Sequence, residues 1–270
     1  MSNTASFREE YISQIPALRL LMQLGFRYLA PDEALRLRGG RLGDVVLGQV
    51  LREWLAGNNV LRYKGEKHAF SEKNIALAMQ QLLINQQNQA SEGLIRTNEK
   101  VYELLTLGTS LTQTIRGDSK SYSLRYIDWQ HPEKNVYHVT DEYSVERTRS
   151  KKTRRPDIIC FVNGIPLVII ECKRPDKSHH GESAVWAGVE QLIGYQKEAE
   201  IPHLFVFSQL LLSVNTNEAR YATTGTPRKF WSLWRENLAL TPRPPLPIIG
   251  EGENQALPPL SYYWERGVGG

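Results

Sequence analysis

A hairpin fixes the centre of this chain. Residues 155–173 read Arg155-Pro156-Asp157-Ile158-Ile159-Cys160-Phe161-Val162-Asn163-Gly164-Ile165-Pro166-Leu167-Val168-Ile169-Ile170-Glu171-Cys172-Lys173. Two short apolar runs flank Asn163-Gly164, a dipeptide that favours a two-residue hairpin turn because both of its residues tolerate positive φ. Residues 167–170 form a continuous aliphatic run, the pattern of a strand buried on both faces, yet the run ends in a carboxylate and an ammonium. Two residues apart on a strand, Glu171 and Lys173 point to the same side. Asp157 opens the partner strand, and in a tight hairpin the start of one strand lies beside the end of the next. The pattern therefore predicts two carboxylates and a lysine converging at one end of a sheet.

Two unpaired carboxylates about 4 Å apart would repel by roughly 4 kcal/mol at an effective dielectric of about 20. A divalent cation removes that cost, and two carboxylates completed by water and a phosphate oxygen suit Mg²⁺ or Mn²⁺. Lys173 would then orient or deprotonate an attacking water, or offset charge building on a phosphate. At Pro156-Asp157 and Glu171-x-Lys173 the chain resembles the PD-(D/E)xK nuclease superfamily. The plainer alternative is a solvated charge pair at a strand end. Glu171-Cys172-Lys173 is the one Glu-x-Lys in the chain, and Asp118-Ser119-Lys120 lies in a Gly/Ser/Lys-rich turn with no buried strand before it, so it reads as surface.

Composition sets the class. With 270 residues, 41% hydrophobic and 23% charged, the chain can bury a sizeable core in one large domain or one and a half. No apolar run approaches the length of a membrane span, and residues 1–10 lack a basic-then-apolar leader, so a cytoplasmic protein with no membrane partner is expected. The cysteines, Cys160 and Cys172, both fall in expected core strands and suit a reducing compartment; a zinc site is not supported. A net charge of +4 says little, but Arg147, Arg149, Lys151, Lys152, Arg154 and Arg155 cluster just upstream of Asp157, where a phosphate backbone approaching a metal would run. They are candidate DNA contacts.

Helical periodicity dominates the first hundred residues. Residues 7–24 carry an apolar face ending at Gly25, with Pro16 starting a second helical piece. Asp44 is expected to cap residues 45–55, Ser71 to cap a helix through Leu83, and Asn98 to open a short helix stopping at Gly108. Residues 109–116, 121–129 and 135–146 then read as antiparallel strands leading into the hairpin. Helical period returns over 182–199, strands over 203–207, 210–215 and 219–223, and an amphipathic helix over 227–238. Residues 241–270, rich in Pro and Gly, read as a linker. The expected organisation is thus 1–108 as a mainly helical part of the domain, 109–240 as its core, and 241–270 as linker. No Walker-type phosphate loop occurs; Gly39-Gly40-Arg41-Leu42-Gly43 lacks the necessary lysine and hydroxyl, so ATP is not expected on these residues.

After the motif, Gln191 and Tyr195 stand four apart on one helix face, beside the small residues Ala184 and Gly188, which leave room for nucleic acid. This Gln-x-x-x-Tyr resembles the RecB-like branch of the superfamily. More narrowly, Arg155 through Lys173, with Leu104-Leu105-Thr106-x-Gly108, Asp128-Trp129-x-x-Pro132-x-x-Asn135, Tyr195-Gln196 and Trp231-x-x-Trp234, closely resembles the N-terminal domain of the R subunit of type I restriction enzymes. The resemblance implies an α/β (α+β) restriction-endonuclease-like core, a central mixed sheet flanked by helices with a helical N-terminal portion. It implies an endonuclease cutting double-stranded DNA, in company with modification and specificity subunits, after an ATP-driven motor further along the polypeptide has translocated it. The site so implied has Asp157, Glu171 and the Cys172 backbone carbonyl on the metal, Lys173 assisting water, and Gln191 and Tyr195 positioning DNA or the lysine. Cys172 stands where members usually carry a Leu-like residue. Some superfamily members add a Glu from the first helix, for which Glu10, then Glu9, is the candidate, although an exposed charge is the plainer role. His179-His180 has no third ligand near in sequence, and the tryptophans Trp54, Trp129, Trp186, Trp231 and Trp234 read as core or interface. A DNA-binding and docking module that neither holds metal nor cuts, and a stand-alone repair nuclease, are the competing readings.

Overall fold

The computed structural model describes residues 13–175 and 182–235. Glu9, Glu10, His179, His180 and residues 241–270 lie outside them, and the described residues up to Trp234 belong to one compact unit. In chain order come α1 (Ile15–Gln23), β1 (Arg27–Tyr28), α2 (Pro31–Leu37), α3 (Gly48–Asn58), β2 (Val60–Tyr63), β3 (Glu66–Ala69), α4 (Glu72–Glu92) and α5 (Leu94–Leu107). There follow β4 (Thr109–Ile115), β5 (Asp118–Leu124), β6 (Tyr137–Asp141), β7 (Val145–Glu146), β8 (Thr153–Arg154), β9 (Ile158–Val162) and β10 (Ile165–Cys172). The last elements are α6 (Val185–Tyr195), α7 (Pro202–Phe205), β11 (Leu210–Val214), β12 (Ala219–Ala222) and β13 (Ser232–Leu233).

Seven strands form the central sheet in the order β1-β6-β9-β10-β11-β12-β13. It is mixed: β1 runs parallel to β6 and β10 parallel to β11, and the other neighbours are antiparallel. The expected α+β core with helices flanking a mixed sheet is what forms. At its centre β9 and β10 pair from Ile165↔Val162 to Ile170↔Ile158. The turn between them holds Asn163 at φ 52 and Gly164 at φ 83, both left-handed as the sequence required. Gly164 is also a point of close approach: a Cβ there would lie 2.6 Å from the Leu47 carbonyl oxygen, and Leu47 N–H donates to Gly164 O at 2.8 Å. The Asn163 side chain donates to the Tyr126 carbonyl and accepts from Val136 N–H, tying the hairpin tip to the loop before β6.

Alternation along β10 sends neighbours to opposite faces. Ile169 packs into the large core with residues of α3, α4, α5 and α6, while Ile170 and Cys172 join Leu18 of α1, Val139, Ile158 and Cys160 on the other face. Both cysteines are buried, and burial pushes the Cys160 thiol up to about 12, as expected of an inert core residue.

Several element expectations are corrected. Asp44 caps no helix; α3 begins at Gly48, and Asp44 pairs with Arg41 at 2.6 Å. Asn98 lies inside α5 and donates to the carbonyls of Phe205, Val206 and Ser208, fixing α7 and the turn after it. Residues 109–124 form their own two-stranded sheet, so β6 alone of that region enters the central sheet. Most of the run 203–207 is helical, with Pro202 at the start of α7 where its missing N–H costs nothing. In place of a helix from residue 227 come a single 3-10 turn, Arg228–Phe230, and β13. The Ser71 cap holds, its hydroxyl accepting from Asn74 N–H at 3.3 Å, and Pro16 lies in the first turn of α1, which begins at Ile15.

Candidate functional site

The site forms where the β9–β10 ladder runs out. Beyond the last pair, Asp157 Oδ2 accepts the Cys172 N–H at 2.7 Å, so a side chain continues the ladder that the backbone has ended. Glu171 is 0% exposed, and its Oε1 is buried with no hydrogen-bond partner among the described residues. Lys173 Nζ lies 3.4 Å from Glu171 Oε2, 3.2 Å from the Cys172 carbonyl oxygen and 4.0 Å from Asp157 Oδ2. Asp157, Glu171 and Lys173 thus meet as the spacing required.

Burial pushes the Glu171 carboxyl well above its ordinary range, and the Asp157 charge adds to that, against the pull of Lys173. Asp157, Glu171 and the Cys172 carbonyl together present oxygen donors, the kind of ligand a hard divalent cation takes. No group of three or more His, Cys, Asp or Glu side chains converges among the described residues. Any cation held here would keep part of its coordination for water and phosphate.

Helix α6 closes one side. Gln191 Nε2 donates to the Tyr195 hydroxyl at 2.7 Å, so the two residues four apart do share a face. Burial, with the Glu171 charge next, pushes the Tyr195 phenol up to about 12, which places the neutral hydroxyl beside the carboxylates at any working pH. Gly188 serves a different purpose from the one expected of it. A Cβ there would collide with Ser213 Oγ and come within 3.3 Å of Lys173 Cγ. The missing side chain makes room for β11 and for the lysine stem. Ser213, fully buried, donates to the Val185 carbonyl at 2.7 Å and so locks the start of α6 onto β11.

The six basic residues divide into two sets. Arg147 and Arg154 both pair with Glu200, at 3.0 and 2.6 Å, and Arg155 pairs with Glu142 at 2.5 Å. These three hold the β7–β8 hairpin and the approach to Asp157 in place. Arg149, Lys151 and Lys152 are exposed and form no ion pair among the described residues. Asp118 and Lys120 pair with each other at 3.3 Å on the surface, as expected. Of the tryptophans, Trp54 and Trp231 are buried, whereas Trp129 is 57% exposed and Trp234 is exposed too. Trp186, on α6, is stacked by the guanidinium groups of Arg220 and Arg228, at 4.1 and 4.2 Å from its ring centre.

Sequence reasoning missed Ser13, Gln14, Ser213 and Glu142 around this site. Glu142 takes φ 49, and its N–H donates to the Asp157 carbonyl at 3.0 Å. No local pattern marks any of the four.

Comparison with known proteins decides the family. A model of the type I restriction enzyme R protein N terminus matches residues 6–230. The chain belongs to this family. A putative type I restriction enzyme endonuclease subunit, MjaIXP, of Methanocaldococcus jannaschii is 24% identical over 228 residues, 84% of this chain and 20% of the relative. The HindI type I endonuclease subunit of Haemophilus influenzae is 32% identical over 143 residues, 53% of this chain and 13% of the relative. The chain thus spans about a fifth or less of the length of these R-protein relatives. Among its described residues no helix is long and apolar enough to cross a membrane.

Proposed function

We propose that this R-protein N terminus is the part of a type I restriction enzyme that cuts duplex DNA, using Mg²⁺ or Mn²⁺ held by Asp157, Glu171 and the Cys172 carbonyl. One observation carries the reading: a wholly buried carboxylate oxygen without a hydrogen-bond partner among the described residues, set against a second carboxylate and a lysine. When ionised, such an oxygen is costly unless a cation meets it. A divalent ion bound there supplies a Lewis acid for a phosphoryl oxygen and an acidified water.

The chain's own residues do the rest. Lys173, fixed along the Gly188 groove, brings a positive charge to the scissile phosphate or takes a proton from the attacking water. Gln191, oriented by Tyr195, holds the lysine or a phosphate oxygen in line. Arg149, Lys151 and Lys152 attract the DNA backbone without reading sequence. Sequence recognition falls to the specificity subunit of the same complex, beside the modification subunit, and ATP to motor domains outside these residues.

A second reading has its own support. Lys173 already offsets part of the charge of both carboxylates, so the chain alone could serve as a DNA-binding and docking module with a silent site. Calorimetric titration of Mg²⁺ and Mn²⁺ into the chain and its Asp157→Ala variant separates the two. Saturable wild-type binding absent from the variant is expected; equal heats in both would favour the docking module.

A further inference from the structure

We propose that Ser13 and Gln14, consecutive residues at the entry to α1, are positioning residues that hold the two metal-bearing strand ends together. This rests on the reading of Asp157 and Glu171 as metal ligands. Ser13 Oγ donates to the Lys173 carbonyl at 2.8 Å, and Gln14 Nε2 donates to the Asp157 carbonyl at 3.3 Å. Both residues are polar and only 5% exposed, a placement with a desolvation cost unless their hydrogen bonds are made.

The location gives these bonds their meaning. The β9–β10 ladder ends at Ile170↔Ile158, so Asp157 lies just past its last backbone pair, while Lys173 is tied on its other side to β11, its N–H donating to the Val214 carbonyl at 2.8 Å. One turn of chain reaches both. Leu18, a turn further along α1, is buried against Ile158, Ile170 and Cys172, so the clamp is anchored on the face of the sheet away from α6. The Glu142 carboxylate is paired by Arg155 at 2.5 Å. Glu142 N–H in turn donates to the same Asp157 carbonyl that Gln14 contacts. Asp157 is therefore held by its side chain on Cys172 and by its carbonyl on Gln14 and Glu142, while α1 closes the circuit through Ser13 to Lys173.

Loss of an outer partner of a metal ligand typically lowers metal affinity by about 10- to 100-fold. The variants Ser13→Ala and Gln14→Met, the latter keeping side-chain bulk without the donor, should each weaken Mn²⁺ binding by roughly tenfold, and the pair by more. Calorimetric titration of Mn²⁺ into the 270-residue chain, with thermal unfolding midpoints recorded alongside, reads this out. Ser13→Thr, which retains a hydroxyl, should restore wild-type affinity. A role in folding alone would lower the midpoint and leave the affinity of the folded fraction unchanged. Unchanged affinity in both variants, or no rescue by Thr, overturns the inference while leaving the ligand assignment standing. Wild-type heats no larger than those of Asp157→Ala would instead remove the ligand assignment itself, and the inference with it.

Discussion

Lys173 Nζ sits 3.4 Å from one carboxylate and 4.0 Å from the other, a distance at which a small displacement changes which group it serves. In the proposed mechanism Gln191, oriented by Tyr195, controls that choice. Misplacement of a reacting group by about 1 Å can cost on the order of a hundredfold in rate, so Gln191→Ala should slow single-turnover cleavage by about that factor with metal affinity little changed. Tyr195→Phe should cost less than Tyr195→Ala: it strips the acceptor from Gln191 Nε2 but keeps a ring packed in the core. Single-turnover rates and Mn²⁺ titrations on the same three proteins check this; an unchanged rate in Gln191→Ala would give this helix face another role. At this scale the sequence was legible where chemistry and local geometry coincide, at Asp157, Glu171 and Lys173 in one hairpin. It was not legible at Ser13 and Gln14, whose bonds to the site join residues 160 and 143 apart in sequence, with no periodicity to announce them.

Among the elements, α6 carries a small residue, Gly188, whose need for space comes from within the fold. Gly188 makes room for Ser213 and Lys173. Gly188→Ala should therefore overpack a buried contact, cost about 1–3 kcal/mol in denaturant unfolding, and slow cleavage by shifting the lysine stem. Ser213→Ala removes the atom most directly in the way, so the double variant should be less damaged than the sum of the singles; additive losses in a double-mutant cycle would count against this packing account. Long periodic elements were the legible ones, α4 with its Ser71 cap being an example. Short apolar runs were not, because four or five residues such as 203–207 satisfy a strand and a helical turn equally, and tertiary contacts from Asn98 settle the matter. Asp44 failed as a cap because α3 starts only at Gly48, leaving its carboxylate to pair with Arg41, three residues before it.

Across the whole molecule, the mixed sheet separates two layers that meet at the site: α6 presents Gly188, Gln191 and Tyr195 from one face and α1 grips the strand ends from the other. Such a fold should resist neutral pH better than mild acid. Burial pushes His203 down to about 4, and burial also lowers His138. Above the unfolded-state value of about 6.5 both states are neutral and nothing is lost. Below it the unfolded chain takes up a proton that the folded one refuses, so stability falls as pH drops from about 6.5 towards 4, by about 2 kcal/mol at pH ~5 from His203 alone. Denaturant midpoints at pH ~7 and ~5 should converge in His203→Gln relative to wild type; an undiminished drop would place the acid sensitivity elsewhere.

This chain covers 20% of its relative MjaIXP, so the cutting site proposed here is to be tested in a full-length R subunit. Its most direct test is Lys173→Ala in the complete R subunit, assembled with its modification and specificity subunits, measuring plasmid cleavage and ATP hydrolysis on the same preparation. The account predicts that ATP hydrolysis continues at the wild-type rate while the plasmid stays uncut. Cleavage at the wild-type rate, or loss of ATP hydrolysis together with cleavage, would contradict it.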